Sequence, residues 1–243
     1  MPTDFKHRLA LVIGAQKYKE AELNRLHNSA SDAETLAEVL RSKAGFELFR
    51  GGELVNPTGR QLTTHINAFC NAVNALEDCL ALIYFSGHGT VDIVSHSQHR
   101  EALHYLLATD YSERELGDRD TALQHAACQL ESQVVARLCG AKAAVVLVDA
   151  CRTAPDLSAE PEAHKGWGGD GSVRASHAVN PVRNVLLSYA CAAYSPASDG
   201  TAADGLGVFT RHILEVRSRC TVGARSVCFL DLLSNAGLES RCL

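Results

Sequence analysis

Two short stretches carry residue types that can make and break acyl bonds. Ser86-Gly87-His88-Gly89 directly follows the apolar run Leu80–Phe85, and Asp149-Ala150-Cys151-Arg152 directly follows Ala143–Val148. A thiol is a poor nucleophile until its proton is removed or its thiolate is stabilised. A neighbouring imidazole does either, and then returns the proton to a leaving amine. Glycines beside His88 let a substrate approach, and the backbone N–H groups of Gly89 and Cys151 are candidates for holding the developing oxyanion. Taken singly, Cys151 reads as a buried small hydrophobe and His88 as a loop histidine in a tight turn. Their joint placement favours a nucleophilic Cys–His dyad: of nine cysteines, one lies between an acid and a base just past the most apolar run, and of eleven histidines, one lies between two glycines at another run's exit.

The elements that must position this pair are legible as apolar runs. Leu9–Ile13, Leu80–Phe85, Ala143–Val148 and Val185–Tyr189 are continuous rather than alternating, as in strands covered on both faces of a parallel sheet. Helical patterns separate them. Ser31-x-x-Glu34 reads as a capping box before Leu36, Val39 and Leu40, with Gly45 as the stop; Thr58-x-x-Gln61 repeats the signature before Leu62, Ile66, Phe69, Val73 and Leu76. Further helices are expected near Leu130 to Leu138, Val208 to about Arg217 and Phe229 to about Leu238. This alternation predicts an α/β fold, three-layered, with a mainly parallel sheet and helices on both faces, whose sites form at the C-terminal strand ends. Residues 90 to 102 are polar and lead to an extra strand at Leu103–Thr109, read as part of a small hairpin edge. Residues 153–183, with three prolines and the run Gly166–Gly171, read as a long flexible loop in which Trp167 is an anchor.

The 243 residues are 46% hydrophobic and 21% charged, which excludes disordered and low-complexity classes and suits one domain over 1–243. A formal charge of -5, from 23 Lys plus Arg against 28 Asp plus Glu, offers no basic field for nucleic acid or an anionic membrane. The polar start and short first apolar run predict no signal or spanning segment and a cytoplasmic location. An odd cysteine count without a C-x-x-C pair points to reduced thiols, with Cys70, Cys79, Cys139 and Cys191 packed as apolar residues. His96 and His99 are spaced for one helix face but lie in a polar stretch without nearby thiols, so no metal is expected there.

Tyr84-Phe85-Ser86-Gly87-His88-Gly89 and Leu147-Val148-Asp149-Ala150-Cys151-Arg152 resemble the two catalytic motifs of caspase-like cysteine proteases, the superfamily of caspases, metacaspases and paracaspases. Leu9–Gly14 is similar to the family's first strand, Ser31–Leu36 to the start of its first helix, and Gly207–Thr210 to the start of the helix after its substrate loop. The resemblance divides the chain into a large-subunit-like part (1–152) and a small-subunit-like part (184–243), separated by the 153–183 loop. The caspase signature reads Gln-Ala-Cys, then Arg, Gln or Gly, then Gly, with its histidine about 50 residues upstream. Here the histidine lies further upstream, Asp149 replaces Gln and Thr153 replaces Gly. Asp-x-Cys-Arg is closest to paracaspases and bacterial caspase-like proteins, where the acid two residues before the nucleophile lines the pocket for the substrate residue preceding the cleaved bond.

A carboxylate at that place favours Arg or Lys in the substrate and penalises Asp. The resemblance also implies a second pocket acid at Asp32, although an acid in a helix's first turn is stabilised there by the dipole alone. A third is implied in the loop after Tyr189. Simple alignment places Pro196 at that position, with Asp199 a few residues on; a turn-forming Asp-Gly is the competing reading. Relatives are often cut in the loop after the nucleophile, where Lys165 and Arg174 lie. The expected activity is that of a cysteine endopeptidase on protein or peptide substrates with basic residues; the alternative is an idle caspase-like domain used for binding or assembly. No cofactor is expected, and no metacaspase motif supports calcium dependence. Homodimerisation is also open, because the strand through which caspases pair after the last helix has no clear counterpart in Glu239–Leu243.

Overall fold

The computed structural model describes residues 5–23, 26–96, 99–150, 184–190, 199, 201, 203 and 205–220. In chain order the elements are β1 (His7–Gly14), α1 (Ser29–Ala44), β2 (Glu47–Leu48), β3 (Leu54–Val55), α2 (Gly59–Asn74), β4 (Cys79–Ser86), β5 (Gly89–His96), β6 (His99–Leu107), α3 (Glu113–Leu116), α4 (Arg119–Ala126), β7 (Ala127–Gln129), α5 (Leu130–Gln133), β8 (Ala143–Asp149), β9 (Val185–Tyr189) and α6 (Val208–Cys220). The main sheet runs β2-β1-β4-β8-β9, parallel throughout, with β3 also paired to β1.

The four apolar runs are its core strands because both faces are covered. Leu9, Leu11 and Ile13 of β1 and Ala81, Ile83 and Phe85 of β4 pack with Leu62, Ile66, Phe69 and Val73 of α2. On the other face Ala10, Val12, Leu82 and Tyr84 pack with Ala33, Leu36 and Leu40 of α1 and with Phe209 and Ile213 of α6. The result is the expected three-layer α/β fold. Thr58 caps α2 as its spacing predicts: Gln61 N–H donates to Thr58 Oγ1 at 3.4 Å, and Thr58 N–H to Gln61 Oε1 at 2.9 Å.

Three expectations are corrected. α1 starts at Ser29 with Asn28 as its cap residue, three residues early, and Ser31 is no cap; its hydroxyl donates to Asn28 O at 3.1 Å. The N–H groups at this start are met from outside the helix, that of Ala30 by Gln16 Oε1 at 3.1 Å and those of His27 and Asn28 by the Asp199 carboxylate. The helix expected over Leu130 to Leu138 is two pieces, α5 and a 3-10 turn at Val135–Leu138. They break at the buried β-branched Val134 (φ -115°, ψ -70°). The polar stretch is itself strand over 90–96 and 99–102: in the expected hairpin, β5 and β6 pair antiparallel from Gly89 opposite Leu106 to His96 opposite His99, and β7 adds a third strand. His96 and His99 thus oppose each other on a hairpin and share no helix face.

Cys70, Cys79 and Cys128 are buried free thiols, whereas Cys139 is exposed, contrary to its expected packing. Among the described residues no helix is long and apolar enough to cross a membrane. Cys151, Cys191, the 153–183 loop with Lys165, Trp167 and Arg174, the helix expected at Phe229 and the segment Glu239–Leu243 lie outside the described residues.

Candidate active site

β4 and β8 leave the sheet at the same level. Ser86 pairs with Asp149, and Gly87 N–H donates to Asp149 O at 3.1 Å. His88 stands two residues beyond that pair on one chain, and Cys151 two residues beyond it in sequence on the other. Gly89 opens β5. The Cys151 side chain lies outside the described residues, which end at the buried Ala150 on this side of the loop.

His88 is held at three points. Its Nε2 lies 2.6 Å from Leu23 O, its N–H donates to Tyr18 Oη at 2.7 Å, and its carbonyl accepts from Leu107 N–H at 3.0 Å. A carbonyl only accepts, so Nε2 carries the hydrogen and Nδ1 of the neutral ring carries the lone pair. Burial lowers the imidazole's pKa below its ordinary value, opposed by the Leu23 hydrogen bond and the Asp199 charge. A neutral imidazole with a free pair on a fixed nitrogen is the form that takes a proton. The described buried thiols contrast with this poise, since burial pushes Cys70 up to about 11 and Cys128 up to about 12.

The three acids singled out in the sequence come together at this end of the sheet. Asp32 is fully buried, accepting Gly207 N–H at 2.7 Å and the Ser86 hydroxyl at 3.3 Å. Burial is the largest influence on it and wins over those hydrogen bonds, raising its carboxyl to about 6. Asp149, 7% exposed, is pushed up to about 8 by burial and then by the charges of Asp32 and Asp199. Asp199 accepts the N–H groups of His27 and Asn28, while Asn28 Nδ2 donates to Asp199 O at 2.6 Å and Thr201 O at 3.1 Å. Asp199 therefore clamps the entry to α1 and also acts through its charge on Asp32 and Asp149. Among the described residues no basic side chain pairs with Asp32 or Asp149, and no group of three or more acids, histidines or cysteines is arranged to hold a metal ion.

Sequence reasoning missed Tyr18, Leu23, Ser86 and Gly207. Gly207 had the clearest signal, a glycine directly before α6. A Cβ there would lie 2.7 Å from Asp32 Oδ2 and 3.4 Å from Asp149 Oδ2, so only glycine lets the helix start close over both carboxyls.

A family model for the caspase domain matches residues 7–232. Among solved structures, a protein from Geobacter sulfurreducens is similar with a TM-score of 0.62 at 17% identity, over 96% of this chain and 90% of that one. Pro-sf-caspase-1 is similar with a TM-score of 0.54 at 16% identity, over 97% of this chain and 78% of that one. At such identities the structural likeness speaks for the fold alone. No curated protein sequence matches the chain. The family rests instead on the family model, which spans most of the sequence including both motifs at the strand exits: the chain belongs to the caspase-domain peptidase family.

Proposed function

We propose that this chain is a cysteine endopeptidase that cleaves after Arg or Lys through a Cys151–His88 dyad. The observation that carries this reading is His88 fixed at the exit of β4, its Nε2 engaged by Leu23 O and its Nδ1 pair available, level with the exit of β8 that leads to Cys151. Nδ1 takes the thiol proton and the thiolate attacks the substrate carbonyl. The N–H groups of Gly89 and Cys151 hold the oxyanion, and the imidazolium protonates the leaving amine. Water, deprotonated by the same imidazole, releases the acyl group.

The preference for a basic residue is supported by three acids at one place, two of them deeply buried and without a described cation. A guanidinium supplies the missing charge and pairs two oxygens at once. Hydrolysis of Arg-, Lys- and Asp-terminated peptide reporters tests both parts. Cleavage of the first two, abolished by Cys151→Ala and by His88→Ala, is expected. Cleavage of the Asp reporter alone would sink the pocket assignment, and an unaffected rate in either alanine variant would sink the dyad. No cleavage of any reporter favours the binding or assembly module.

A further inference from the structure

We propose that Tyr18 is the positioning residue of His88: its hydroxyl fixes the histidine's backbone and its ring fixes the imidazole. The inference rests on the reading of His88 as the general base. Tyr18 is 4% exposed, and its hydroxyl accepts His88 N–H at 2.7 Å while donating to Leu107 O at 3.2 Å. Both directions are forced, because an N–H only donates and a carbonyl only accepts. The Tyr18 and His88 rings meet edge to face, centroids 4.8 Å apart at 63°. Leu23, whose carbonyl takes the Nε2 hydrogen, belongs to the same segment after β1, so residues 15–23 hold the catalytic side chain at both its backbone and its ring.

That segment is itself anchored. Ala15 N–H donates to Ser86 O and Lys19 N–H to Thr109 O, both at 2.8 Å, and Asn56 Oδ1 accepts from Gln16 N and Lys17 N at 2.9 Å. The glycine before His88 also acquires a specific reason. A Cβ at Gly87 would lie 2.8 Å from Tyr18 Oη, 2.9 Å from Phe85 Cζ and 3.0 Å from Ala15 Cβ, so Gly87 makes room for Tyr18 among its packed neighbours.

Hydroxyl and ring are separable. Tyr18→Phe removes the acceptor for His88 N–H and keeps the ring; about a ten-fold fall in kcat with KM within about two-fold is expected, because a small displacement of a catalytic base slows chemistry without weakening binding. Tyr18→Leu also removes the ring and admits water to the imidazole. In a Cys151→Ala background, where the thiol cannot titrate, NMR titration of His88 should then move up toward the ordinary histidine value, while Tyr18→Phe leaves it in place. Asp199, which acts on the ring through its charge, is present in every variant.

Unchanged kcat in Tyr18→Phe, or a raised KM at unchanged kcat, would overturn the proposal, as would a His88 titration indifferent to Tyr18→Leu. If a variant is less stable, the titration on its folded fraction decides. Absence of any Cys151-dependent hydrolysis in the unsubstituted protein would instead overturn the reading of His88 as base, while the titration still reports whether Tyr18 holds the ring.

Discussion

The two ends of β4 and β8 treat the same side chain in opposite ways. Asp78, just before β4, is half-buried, and a hydrogen bond from Lys142 Nζ at 2.9 Å, helped by the charges of Lys142 and Lys6, holds its carboxyl below the ordinary value. Asp149, the last residue of β8, is buried beside Asp32 with no described cation, and its carboxyl is pushed up to about 8. Ion pairing is therefore local at the N-terminal ends of the strands and absent, among the described residues, at the C-terminal ends. Folding gains nothing from burying two unpaired acids, since each costs several kcal/mol by order of magnitude if it stays charged. Such an arrangement is what the proposed pocket for a basic substrate residue would need.

The largest expected effect separates the two ends directly. Asp149→Asn should lower kcat/KM on an Arg reporter by about 10²- to 10³-fold, the scale of losing one partner of a buried charge pair. Asp78→Asn, at a solvent-screened pair at the far end of the sheet, should leave it within about two-fold. Equal effects of the two substitutions would dissolve the contrast.

The contrast sharpens with pH. A guanidinium stays protonated throughout, but Asp149, raised to about 8, and Asp32, raised to about 6, hold protons in the empty pocket that a cation must displace. Competitive inhibition by agmatine should therefore tighten by about 10²-fold from pH 6 to 8.5. A flat inhibition constant would mean that both acids are already ionised.

Sequence made the strand frame legible, because parallel strands buried on both faces leave uninterrupted apolar runs. It also exposed the two motifs, because His between glycines and Cys between Asp and Arg are distinctive side chains in distinctive places. The misread elements have non-local causes. α1 starts early because Gln16 meets the N–H of Ala30 and Asp199, 171 residues beyond Asn28, meets those of His27 and Asn28 just before the helix, and β5 pairs along a polar stretch that carries no continuous apolar run. Leu23 was invisible because it acts through a carbonyl that every residue has. Gly207 acts through an absent side chain, and Tyr18 through a long-range approach that no spacing reports.

A substitution that touches both acids at once tests whether they act as a unit. Gly207→Ala would place a methyl group against Asp32 Oδ2 and within contact of Asp149 Oδ2, while leaving both carboxyls and the Gly207 N–H donor in the chain. Overpacking at a site this tight costs about 1–3 kcal/mol. If the pair forms one cation site, most of that cost appears as an approximately five-fold higher KM for the Arg reporter, with kcat little changed. A loss confined to kcat would place the pair's role in chemistry instead.

A further effect concerns stability, where the two ends should differ in sign. Between the ordinary carboxylate pKa and its own raised value, Asp149 holds a proton in the folded protein that it releases on unfolding. The folded state then binds more protons than the unfolded one, so stability falls as pH rises from about 4 to about 8. Asp78 runs the other way: its lowered pKa favours folding at neutral pH, and that contribution is lost as pH falls through the carboxylate range. Asp149→Asn should flatten the decline, gaining on the order of 2 kcal/mol relative to the unsubstituted protein between pH 5 and 8.5, because each pKa unit is worth about 1.4 kcal/mol and a relaxing pocket realises only part of the shift. Urea unfolding of both proteins at the two pH values measures this difference. A decline that survives in Asp149→Asn would move the buried proton to Asp32, and one that disappears in Asp78→Asn would place the pH-sensitive acid at the wrong end of the sheet.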